Sequence, residues 1–127
     1  AKGAAGRAGA ARLARLARLA HLHAEAARAK AGRALRDEAR LVEALAALDA
    51  TRAGALSRMD AGAAPDPATV AAMGAFLRKS EADRARLNVQ LAALRARSQT
   101  SRREAAKATA RQTIIERLAR RAGRQPS

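Results

Sequence analysis

The sequence predicts an all-α fold, a long two-helix antiparallel coiled-coil hairpin. Three observations predict it. Ala, Leu and Arg dominate while strand-forming residues are scarce, and the single aromatic, Phe76, leaves the chain without the large side chains that fill a globular core. One Gly- and Pro-bearing break interrupts an otherwise helical pattern. Apolar and small residues recur on either side of it at alternating spacings of three and four, the signature of a coiled-coil seam.

Helix one is expected over residues 10–59. Gly3, Gly6 and Gly9 weaken the first turns, which places its firm start near Ala10. Its seam runs Ala20, Ala24, Ala27, Ala31, Ala34, Glu38, Leu41, Leu45, Leu48, Arg52, Ala55 and Met59, with Ala in the first half and Leu in the second. The turn occupies residues 60–67, Asp60-Ala61-Gly62-Ala63-Ala64-Pro65-Asp66-Pro67, where Gly62 and the two prolines cannot continue a helix. Asp66 then offers an N-cap, and Pro67 fits the first helical position.

Helix two is expected over residues 68–122. Its seam is Val70, Met73, Leu77, Ser80, Arg84, Leu87, Leu91, Leu94, Ser98, Ser101, Ala105, Ala108, Gln112, Ile115, Ala119 and Ala122. Arg120 and Arg121 before Gly123, with Pro126 beyond, mark its end. Folding back at Pro65 sets Leu45 in a layer with Leu91, Leu41 near Leu94 and Leu48 near Leu87. The Ala-rich half of helix one then faces Ser98 to Ala108. Residues 1–127 thus read as one helical hairpin.

The net charge of +15 is uneven. Residues 1–36 hold nine basic and one acidic side chain, residues 95–127 ten and two, and residues 37–94 seven and eight, so both terminal segments carry +8 and the middle −1. Such a charge calls for an acidic partner or surface. No run of 18 apolar residues occurs, which excludes a transmembrane helix from the sequence given. Without cysteine there is neither a disulfide framework nor a thiolate metal site. The Arg-rich, acid-poor stretch up to Ala24 superficially resembles an organellar transit peptide, although the helical pattern runs straight through it.

The residue types needed for chemistry are few. His21 and His23 point about 200° apart on a helix and cannot share a metal. There is no phosphate-binding Gly loop and no supported nucleophile–base set. The carboxylates read as helix-face ion pairs: Asp37 with Arg33 and Arg40, Glu81 with Lys79 and Arg84, Glu116 with Arg120. The chain therefore reads as a non-enzyme with no cofactor and no metal.

Its candidate partner-binding residues lie in the two basic segments. Leu13, Leu16, Leu19 and Leu22 recur every three residues beside Arg12, Arg15 and Arg18, so the leucine stripe winds around the helix instead of forming a flat membrane face. The fold-back brings them toward Arg111, Ile114, Ile115, Arg117, Leu118, Arg120 and Arg121. A protein groove lined by carboxylates and apolar groups is the first expectation for this mixture. Homodimerisation through the leucine stripe and docking into a larger assembly both stay open. Nucleic acid is the second choice. The charge would attract phosphate, but there is no aromatic platform, and the basic stretch Arg102-Arg103-Glu104-Ala105-Ala106-Lys107 follows the leucine heptads instead of preceding them.

The layout resembles the FliJ/YscO-type stalk proteins of flagellar and type III secretion export machines. The resemblance is carried by the length, the two long helices around one break, and three stretches of helix two. These are Met73-Gly74-Ala75-Phe76-Leu77-Arg78-Lys79-Ser80-Glu81, then Leu87-Asn88-Val89-Gln90-Leu91, and the closing Gln112-Thr113-Ile114-Ile115-Glu116-Arg117-Leu118. It implies a cytoplasmic hairpin, peripheral to a membrane-embedded export complex. The terminal segments would engage a hexameric export ATPase, and the hairpin would touch the export gate or escort chaperones. The alternative is a basic scaffold or nucleic-acid-associated coiled coil.

Overall fold

A computed structural model describes residues 2–62 and 66–124. Two helices make up the fold, α1 (Lys2–Ala61) and α2 (Pro67–Arg124), packed against each other as an all-α hairpin. Ala63, Ala64 and Pro65 of the expected turn, and Pro126, lie outside the described residues. α1 begins eight residues earlier than Ala10. The glycines in that stretch are interspersed with Ala4, Ala5, Ala8, Ala10 and Ala11, the residue type with the best helix propensity, and Gly9 and Ala10 are partly covered.

The start of α2 is capped as its sequence suggests. The Thr69 N–H donates to Asp66 Oδ1 at 2.7 Å, and the Val70 N–H donates to the Asp66 carbonyl at 3.1 Å, the first bond of the helical ladder. Pro67 takes the first helical position, where a missing N–H costs nothing. Arg121 and Arg124 stand in the last turn of α2, and Arg58 in that of α1, each favourable to the negative end of the helix dipole.

The chain divides into two compact units. One, Leu35–Ala96, holds the end of α1 and the start of α2. Its interior is built from Leu41, Leu45, Leu48, Leu87, Leu94, Met59, Met73 and Phe76, all part-covered, around the buried Ala55, Ser80 and Leu91, the last 6% exposed. Three ion pairs fix its antiparallel register: Arg52–Glu81 at 2.7 Å, Asp49–Arg84 at 3.0 Å and Glu38–Arg95 at 3.4 Å. The residue numbers in each pair add to 133, which sets Leu45 level with Asn88 and Leu91 level with Val42. Leu91 is therefore nearly level with Leu41 and Leu87 with Leu45, a pairing shifted from the expected Leu45–Leu91, Leu41–Leu94 and Leu48–Leu87. By the same register Val70 lies past the level at which α1 ends, at Ala61. It is nearly half exposed instead of joining the seam, because no helix faces it.

The ion pairs also correct the expected partners. Glu81 reaches across to Arg52 instead of lying along its own helix, and Glu116 accepts a 2.8 Å hydrogen bond from Gln112 instead of pairing with Arg120. Asp37 does pair with Arg40, at 3.7 Å. Seam positions taken by charged residues bring their heads to the edge, and the nearest opposite charge there is on the other helix.

The second unit joins α1 up to Ala34 to α2 from Arg97 onward. Its buried residues are all small: Ala20, Ala24, Ala31, Ala108, Ser98 and Ser101. Ala24 and Ser98 are fully enclosed. Small side chains let the two backbones come close, so contact is gained between helix surfaces although little apolar area is buried.

Candidate functional site: a basic and apolar flank

Sorting charge by unit sharpens the asymmetry. In the unit containing the termini, residues 1–34 carry eight basic and one acidic side chain and residues 97–127 nine and two, a net +14. Leu35–Ala96 carries nine and eight, a net +1. Nearly all the excess charge of the protein is thus held by one packed unit. Interhelical pairing neutralises little of it, since Lys30–Glu104 at 3.7 Å is the ion pair found between the helices there among the described residues.

Three contacts define the two flanks of this unit. Lys30–Glu104 lies on one. The other carries Arg28 donating to Thr109 Oγ1 and Gln112 Nε2 meeting His21 Nδ1, each at 3.0 Å, with His21 Nε2 a further 3.1 Å from Glu25. Coiled-coil positions repeat every seven residues, so each candidate residue can be assigned from these markers. Leu16 precedes Lys30 by two heptads and Leu118 follows Glu104 by two heptads, so both repeat on the Lys30–Glu104 flank, level with each other. Leu19 and Ile114 are their helical neighbours at spacings of three and four. Arg111 lies one heptad beyond Glu104, while Arg12 and Arg121 border Leu16 and Leu118.

The four apolar side chains of this flank are between 46% and 62% exposed. The flank is therefore an uncovered apolar strip, two residues from each helix, with guanidinium groups along its edges. No carboxylate follows Glu104 along this flank, and Arg12, Arg111 and Arg121 have no hydrogen-bond or ion-pair partner among the described residues.

Not all the expected residues meet there. Leu13 and Ile115 are half-buried because they occupy the seam itself, where they hold the helices together. Leu22 and Arg18 fall on the opposite flank, lining a shallow hollow of about 400 Å³ with Ala17, His21 and Glu116. Arg15, Arg117 and Arg120 stand on the outer helix surfaces, exposed. A winding stripe cannot keep four leucines on one side, and the expected convergence is sorted by the heptad into one flank and a diffuse positive surround. The contribution of His21 was not legible from spacing alone. Glu25 is its i+4 neighbour on α1, but its other partner, Gln112, emerges only once the cross-helix register is known.

Among the described residues no group of three or more His, Cys, Asp or Glu could hold a metal ion, and no helix is long and apolar enough to cross a membrane. Compared with protein-family models, curated proteins and solved structures, the chain gives no significant match.

Proposed function

We propose that this chain is a non-enzymatic coiled-coil component of a flagellar or type III protein-export machine, a stalk or chaperone escort. Its basic unit engages a hexameric export ATPase and the hairpin contacts the export gate, at the cytoplasmic side of a membrane-embedded complex. The observation that carries the reading is the concentration of +14 on one unit together with exposed Leu and Ile beside unpartnered Arg. A ring interior lined by carboxylates and apolar groups would take both features. Guanidinium forks pair bidentately with carboxylates, and the aliphatic groups supply buried area. The heptad organisation and length resemble those of the FliJ/YscO-type stalks.

The same charge favours a second reading, a nucleic-acid-associated coiled coil, and salt separates the two. Capture of a purified export ATPase hexamer should persist at ~0.15 M salt, where the Debye length is about 8 Å, while binding to a generic DNA duplex should vanish. Ile114→Ala with Leu118→Ala should weaken ATPase capture by ~2 kcal/mol or more while leaving helicity intact. Charge reversal at Arg117, Arg120 and Arg121 should mainly slow association and change its salt dependence. Tight duplex binding at that salt, insensitive to Ile114 and Leu118, would transfer the assignment to nucleic acid.

A further inference from the structure

Within the reading of the basic unit as a protein-docking element, the Lys30–Glu104 flank has a shape and charge that narrow the occupant. Leu16 and Leu19 of α1 face the same side as Ile114 and Leu118 of α2, so the strip lies over the groove between two antiparallel helices. From the level of Arg12 to that of His23 it extends about three helical turns, on the order of 17 Å. Such a groove matches the ridge of a third helix.

Charge decides which helix. The strip is edged by Arg12 and Arg121 at one end and Arg111 towards the other, and the unit beneath it carries +14. A second copy of this chain would set one +14 surface against another. A phosphate backbone would satisfy the arginines yet leave the four aliphatic side chains in water. A bilayer surface would take both, but aromatic anchors are missing from the unit, since Phe76 belongs to Leu35–Ala96. We propose that this flank binds an acidic amphipathic helix of a partner protein, which lies along α1 and α2 as a third strand of the coiled coil. Its apolar stripe covers Leu16, Leu19, Ile114 and Leu118, and carboxylates beside that stripe meet Arg12, Arg111 and Arg121.

A synthetic helical peptide of about three heptads, Leu along one stripe and Glu on both sides of it, is a suitable probe. The control is a peptide of the same composition with the Leu residues dispersed around the helix. Fluorescence anisotropy should show the striped peptide binding at least ~10-fold more tightly than the dispersed one. Leu16→Ser with Leu118→Ser should abolish that preference, and Leu19→Ser with Ile114→Ser should do the same by an independent route, circular dichroism confirming that each variant stays helical. Arg12→Gln with Arg111→Gln should weaken the striped peptide and flatten its salt dependence. Leu22→Ser with Arg18→Gln, on the opposite flank, should change nothing.

Equal binding of both peptides, or equal loss from the opposite-flank variant, would overturn the proposal. So would phosphatidylserine vesicles competing with the peptide through the same leucines, or sedimentation showing self-association that Leu16→Ser with Leu118→Ser abolishes. If the peptide fails while the ATPase hexamer is still captured, this flank is wrongly assigned and the export reading stands. If the peptide binds as expected and the hexamer does not, the export reading falls and the flank assignment stands.

Discussion

Ser98 and Ala24 show how little room the basic unit leaves at its seam. Both are fully enclosed, and Ser98 Oγ has no hydrogen-bond partner, so the hydroxyl carries its desolvation cost uncompensated. Ser98→Ala removes the hydroxyl and substitutes a better helix former, and should raise stability by ~0.5–1 kcal/mol in a urea titration. Ala24→Leu should do the opposite and lower it by ~1–3 kcal/mol, because the added carbons have no space between closely approaching backbones. Serine at a seam position was legible as a small residue from spacing alone. That its hydroxyl is unpartnered was not, since it depends on which carbonyls are already taken. The same holds at Glu38 and Arg52, whose seam positions follow from the heptad, while Glu38 Oε2 and Arg52 Nε are buried without partners even though each side chain ion-pairs through its other atoms.

At the level of the helices, spacing carried most of the information. Every seam position read for α1 from Ala20 to Met59 is buried or part-covered, and in α2 the one departure is Val70, which has no α1 residue opposite it. Helix ends were less legible where weak propensity misled. Three glycines argue for a late start to α1, but the alanines between them and the cover on Gly9 and Ala10 carry the helix back to Lys2. The α2 start was legible because Asp66 and Pro67 have local, geometry-specific roles. Hydrogen bonding to the backbone N–H of Thr69 foremost, then to its hydroxyl, holds the Asp66 carboxyl below its ordinary value. A depressed folded pKa gives a stabilisation that is present above the unfolded pKa and lost as pH falls through the folded one. Melting temperature should therefore show an Asp66-dependent decline below the usual carboxylate range, absent in Asp66→Ala. Asp66→Ala should also melt lower than the parent near neutral pH, whereas Asp66→Asn, which keeps the accepting oxygen, should melt close to it.

For the whole molecule, the two units separate the work that holds the hairpin from the surface it presents. Leu35–Ala96 is near neutral and contains the enclosed Leu91, while the unit with +14 has a seam of Ala and Ser. Leu91→Asp puts a carboxylate in place of an enclosed leucine, a cost of several kcal/mol, and should abolish most helicity in circular dichroism at micromolar concentration. Leu19→Asp, on the exposed flank, should leave the spectrum unchanged. The two outcomes together would establish that the leucine layers around Leu91 sustain the fold. The division of the chain also sets an order on its synthesis. The segment up to Ala34 finds its packing partners only from Arg97 onward, whereas the helix parts meeting around Leu91 lie close in sequence, on either side of residues 62–66. Loop closure favours the near pairs, so the hairpin should zip outward from Asp66. At roughly 5–20 residues per second, the ribosome needs several seconds to make the intervening residues. For that interval a nascent, arginine-rich segment passes along and out of the polyanionic ribosome that is making it, with its alanine face uncovered.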